Sequence, residues 1–133
     1  MKRDKNSNVT PILEILTGAG IILFWVGFFT VGLAPEPAPD CYFAFEHSFP
    51  PPDIILSLAL IASGMLLIKK RPAGVTLSLV SAGALVFLGT LDMSFNLQNG
   101  FYFVSPAELI TNGFINLLCI GFGLAIIFRF WKK

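Results

Sequence analysis

Glu108, Asn112 and Asn116 recur at intervals of four, and Cys119 follows three residues later. On a helix that spacing sets all four side chains on one face. A carboxyl group followed by two amides could hold a proton, a small ion or a hydrogen-bonding ligand, because an amide both donates and accepts. Asp92 and Asn96 are expected near the outer end of this stripe, in the neighbourhood of Glu46, His47 and Asp53. Polar chemistry concentrates nowhere else. Each member also has a structural explanation. Ser105-Pro106-Ala107-Glu108 reads as a capping box, Asn112 and Asn116 as bonds between helices, and Asp53 as an acid at a positive helix N-terminus. His47 is the single histidine.

A metal could draw on Cys41, His47 and Asp53, but the spacing Cys-x5-His-x5-Asp matches no strong ligand motif. Neither CxxC, HxxH nor HExxH occurs, and the nucleotide-binding and hydrolase signatures are missing. The sequence therefore assigns no metal, no cofactor and no catalytic residue. Glu14 is the other carboxyl group set in apolar sequence. It is read as neutralised by nearby Lys and Arg or placed in a first helical turn, with a coupling carboxylate as the alternative.

The elements that must position these groups follow from composition. The 133 residues are 55% hydrophobic and 13% charged, with a mean hydropathy of +0.77. A soluble domain carries about 25% charged residues, so this composition argues for a membrane protein and against a nucleic-acid binder. Uncharged stretches of 21, 15, 20 and 20 residues separate Glu14 from Glu36, Asp53 from Lys69, Arg71 from Asp92 and Glu108 from Arg129. About 20 residues at 1.5 Å each cross a hydrocarbon core of about 30 Å. The expected fold is therefore all-α: a polytopic membrane protein, a single four-transmembrane-helix bundle over residues 1–133, with spans near 11–34, 53–70, 72–91 and 106–129. The 21-residue stretch exceeds a signal h-region of roughly 7–15 residues, and Asp40 before Cys41 is a poor lipobox residue, so the first segment is expected to remain as a span.

Prolines punctuate these spans. Pro11, Pro52, Pro72 and Pro106 fall where helices are expected to begin. The small residues Gly74, Ser78 and Ala82 of span three, Ala59 and Ser63 of span two, and Gly113, Gly121 and Ala125 of span four are read as helix contacts rather than a channel lining.

All nine Lys and Arg precede span one, join spans two and three, or end the chain, whereas six of eight acids lie at the other side. The positive-inside rule places both termini in the cytoplasm, within the plasma or inner membrane. The two aromatic-rich outer loops carry further signals. Tyr42, Phe45 and Phe49 share one face of a short interfacial helix with Glu46 beside them. Asn99-Gly100 suggests a small hairpin between 96–98 and 101–103, with an irregular loop as the alternative.

The functional expectation is a non-enzymatic membrane protein with an outward-facing polar cavity for a small ligand or ion, lined by Glu108, Asn112, Asn116, Asp92, His47 and Glu46. Beyond membrane lipids, a second copy or another membrane protein is the expected partner, as for an accessory subunit. A lipid-modifying enzyme using Glu46, His47 or Asp92 is the third alternative.

Overall fold

The computed structural model describes residues 8–131, and every regular element among them is helical. Lys2, Arg3, Lys5, Lys132 and Lys133, which bear on orientation, lie outside the described residues. Helix α1 (Val9–Gly27) runs on through a π-helical turn at Phe28–Gly32, α2 is short (Asp40–Glu46), and α3 follows at Pro50–Ile68. Helix α4 (Pro72–Gln98) leads through a 3-10 turn at Phe101–Phe103 into α5 (Pro106–Trp131). Four stretches are long and apolar enough to cross a membrane: Val9–Gly32, Asp40–Ile68, Pro72–Gln98 and Pro106–Trp131.

Local chemistry sets these limits. Pro72 and Pro106 occupy first helical positions, as expected, while α3 begins at Pro50 rather than near Pro52. Proline suits these places because the first N–H groups of a helix have no internal partner. The Ser105 hydroxyl accepts from the Glu108 backbone N–H at 3.2 Å, which makes the expected cap. Helix α4 runs past residue 91 because nothing breaks it before Gly100, whose φ of +71° lies in the left-handed region that ends helices. At about 1.5 Å per residue its 27 residues reach about 40 Å, so Asp92 and Asn96 sit on its last turns. No strand forms around Asn99-Gly100, and the hairpin expectation is corrected. Phe95 stacks on Phe101 at 5.5 Å, and Phe103 N–H donates to Gly100 O at 3.0 Å, folding the reversal as a 3-10 turn.

The chain divides into two compact units, the first ending at Ser78 and the second starting at Leu79. In the first, α1 and α3 run antiparallel with backbones nearly touching. A Cβ at Gly18 would lie 2.7 Å from the Ser57 carbonyl oxygen, and one at Gly64 would lie 2.6 Å from that of Pro11. The α3–α4 turn brings Gly74 equally close to the backbone of Leu67. Trp25, Phe28, Tyr42, Phe49, Leu56 and Leu60 form the buried apolar core of this unit. Tyr42 is buried on α2, but the expected three-residue aromatic face is corrected, because α2 ends at Glu46 and the buried Phe49 is the N-cap of α3.

In the second unit α4 and α5 pack antiparallel at two glycines. A Cβ at Gly89 would press on Cys119 and Ile120, and one at Gly123 would lie 2.7 Å from the Ala82 carbonyl oxygen. The contact face of α5 therefore carries Asn116, Gly123 and Ile126, all buried. Gly121 and Ala125 are exposed, and no atom of the unit approaches within 4 Å of a Cβ built at Gly121 or Gly113. Within this unit the α4–α5 contact is made at Gly123 rather than at these three. Large apolar side chains such as Leu23, Ile55, Phe87 and Ile110 remain about 70% exposed, which suits helices solvated by lipid.

The close approach of α1 to α3 makes a direct prediction. Gly18→Ala and Gly64→Ala should each destabilise the protein by about 1–3 kcal/mol through backbone overlap. Gly20→Ala, which meets nothing within 4 Å, should be neutral or stabilising by up to about 1 kcal/mol. Denaturant titration of helicity in detergent checks the contrast.

Candidate functional site

Each unit buries one polar centre inside apolar helices. In the first, Glu14 is wholly enclosed, as are Ser63 and Ser78. The Ser63 hydroxyl is hydrogen-bonded to Glu14 Oε2 and the Ser78 hydroxyl to Glu14 Oε1, so one carboxyl group ties α1 to α3 and to the first turns of α4. Ser63 Oγ also lies 2.9 Å from the carbonyl oxygen of Leu60. The arrangement follows from the small residues around it. Gly18, one turn beyond Glu14, and Gly64, beside Ser63, bring the backbones close enough for a short hydroxyl to reach the carboxyl group.

This corrects the reading of Glu14. The correction concerns its place in the helix: it is the sixth residue of α1, beyond the first turn, and serine hydroxyls are hydrogen-bonded to both of its oxygens. The sequence had a usable signal. Ser63 and Ser78 lie on the small-residue stripes of their helices, and a hydroxyl there can partner a carboxyl group as well as pack.

At the other end of α3 the Trp25 indole N–H donates to Asp53 Oδ2 at 2.8 Å, and the Ser57 hydroxyl donates to the Asp53 carbonyl oxygen at 2.7 Å. Asp53 lies in the first turn of α3, where its charge favours the positive helix end. His47 caps the C-terminus of α2 and is exposed, its ring 5.7–6.4 Å from those of Phe28, Phe29 and Phe43. Glu46 is half-buried and Cys41 exposed on the same short helix. Among the described residues no three His, Cys, Asp or Glu gather as a metal-binding set, Cys41, His47 and Asp53 included.

The second unit holds the other expected residues. Asn112 Nδ2 donates to Glu108 Oε2 at 3.0 Å, and Asn96 Nδ2 donates to Asp92 Oδ2 at 3.1 Å. Both pairs are part-buried. Asn116 is 1% exposed, and its Nδ2 donates to the Tyr102 hydroxyl at 2.5 Å. Its Oδ1 and the Ser81 hydroxyl are buried with no hydrogen-bond partner among the described residues. Turning the Asn116 amide over would let Oδ1 accept from Tyr102 but would strand Nδ2. One half of the amide is left over either way. Tyr102 escaped the sequence reading because its place in a 3-10 turn cannot be read from spacing.

The four apolar helices and their buried polar centres define a helical protein built for an apolar surrounding. The chain belongs to the family described as a domain of unknown function (DUF8058), whose model matches residues 3–132 and so covers both units. No curated protein and no solved structure matches the chain.

The indole–carboxylate bond is open to direct measurement. Trp25→Phe should destabilise the protein by about 1–3 kcal/mol, because it leaves a part-buried carboxylate oxygen without its donor. Asp53→Asn keeps an acceptor and should cost less. Denaturation midpoints of the two variants should rank in that order, and equal midpoints would contradict the assignment.

Proposed function

We propose that the protein is a multi-pass protein of the cell membrane whose second unit binds a small polar ligand or ion along Asn116, Asn112 and Glu108, with Asp92 nearer the rim. The observation that carries this reading is the half-satisfied amide of Asn116. A buried polar atom left without a partner costs about 1–3 kcal/mol, and native proteins rarely leave one without reason. An occupant offering an N–H or O–H group, or a cation, supplies what Oδ1 lacks. The carboxyl groups of Glu108 and Asp92 favour a cationic or donor-rich occupant. The reading is one of binding, without catalysis. Glu46 and His47, also expected at the site, belong to the other unit. The placement of basic residues supports cytoplasmic termini and a cytoplasmic Lys69–Arg71 turn.

A second reading rests on α5. Gly113, Gly121 and Ala125 form a small-residue face that is left open within the unit. Faces of this kind favour close contact with another helix, which suits a homo-oligomer or an accessory subunit of a membrane complex. Native mass spectrometry of the gently solubilised protein separates the two readings, since a lone monomer counts against the second.

The binding reading is tested by thermal unfolding in detergent with sodium, ammonium or trimethylammonium chloride as probes at constant ionic strength. At least one probe should raise Tm, and Asn116→Leu should abolish that rise while keeping the helical content of the parent. An equal rise in the variant, or no rise with any probe, would contradict the proposal.

A further inference from the structure

We propose that Glu14, Ser63 and Ser78, together with the carbonyl oxygen of Leu60, form a reversible proton-binding site inside the first unit. The site is independent of the stripe on α5 and shares no residue with it.

The inference comes from counting hydrogens. Glu14 Oε2, Ser63 Oγ and Leu60 O form a chain of three oxygens joined by two hydrogen-bonding contacts, the second at 2.9 Å. Each contact needs one hydrogen. A serine hydroxyl has one to give, a carbonyl has none, and a carboxylate has none. When Ser63 donates to Leu60 O, the contact between Ser63 and Glu14 is made only by a proton on Oε2. The Ser78 hydroxyl then donates to Oε1, the carbonyl oxygen of the acid. These three contacts are then satisfied, and Glu14 itself carries no charge in its fully enclosed position.

The same atoms also accommodate the deprotonated form. When the proton leaves for water, the Ser63 hydroxyl turns from Leu60 O to Oε2, and Ser78 keeps its bond to Oε1. The carboxylate then accepts two charge-assisted hydrogen bonds. Leu60 O loses only its side-chain partner, because the helix ladder still supplies the N–H four residues on. One hydroxyl rotation separates the two states, which makes the site reversible rather than a fixed neutral filler.

Among the described residues of α1, α3 and the first turns of α4, the other ionisable side chains are Asp53, Lys69, Lys70 and Arg71. Asp53 is held by Trp25 ten residues before Ser63, about 15 Å along the helix. The three basic side chains of the turn are exposed.

Infrared difference spectroscopy of the full chain in lipid, titrated from mildly acidic to alkaline pH, reads the proton directly. A carboxylic-acid C=O band should be present at the acidic end, fade reversibly as pH rises, and be lost in Glu14→Gln. That variant keeps both contacts, since its amide can donate to Ser63 and accept from Ser78, so it separates loss of the proton from loss of the fold. Ser78→Ala removes the donor to the acid carbonyl and should move the band to higher frequency. Replacing potassium with sodium at fixed pH and ionic strength should leave it unchanged. The proposal is overturned if no acid band depends on Glu14. A Glu14 band that persists undiminished to the alkaline limit overturns it equally, as does one that sodium abolishes.

Discussion

The enclosure of the Glu14 carboxyl group between two serine hydroxyls is the constraint on which the first unit depends. A carboxyl group cannot be left unpaired in apolar surroundings, so Ser63 and Ser78 must reach it from two other helical segments. That reach fixes the rotation of α1, α3 and the start of α4 about their own axes, which apolar contacts alone define poorly. It also requires the close backbone approach at Gly18 and Gly64, since a serine hydroxyl stands only one bond beyond Cβ. Glycine and serine thus work together, one bringing the backbones close and the other using the short distance.

The second unit applies the same logic with amides. Gly89 and Gly123 let α4 and α5 meet, and Asn116 bonds to Tyr102 beneath the 3-10 turn. The difference lies in the remainder. Glu14 has hydroxyl partners on both oxygens, while Asn116 keeps one buried amide atom without a partner among the described residues. Membership of a family described only as a domain of unknown function gives these two centres added interest, because they are chemical features from which experiments on the family can start.

The existence of four long apolar helices was legible in the sequence because charge and proline interrupt the apolar stretches at membrane-sized intervals. The serine cap before Glu108 was equally legible, since it depends on local spacing. Helix facing was not. A helix apolar on every side has no polar stripe to show which way it turns, so Gly121 and Ala125 could pass for the contact face that Gly123 and Ile126 occupy. The end of α4 was misread because Asn99-Gly100 serves a hairpin or a helix stop equally well, and the stacking of Phe95 on Phe101 that decides between them is a tertiary contact. Glu14 was undervalued for the same reason, its partners lying 49 and 64 residues away in the chain.

The most direct test of this account is a double-mutant cycle between Glu14→Leu and Ser78→Ala, read by reversible denaturation in detergent. If the hydroxyl and the carboxyl group satisfy one another, Ser78→Ala alone strands a buried acceptor, while the double variant has none to strand. The coupling energy should exceed about 1 kcal/mol. Additivity within about 0.5 kcal/mol would mean that the two side chains do not meet, and would contradict the buried polar tie at the centre of the first unit.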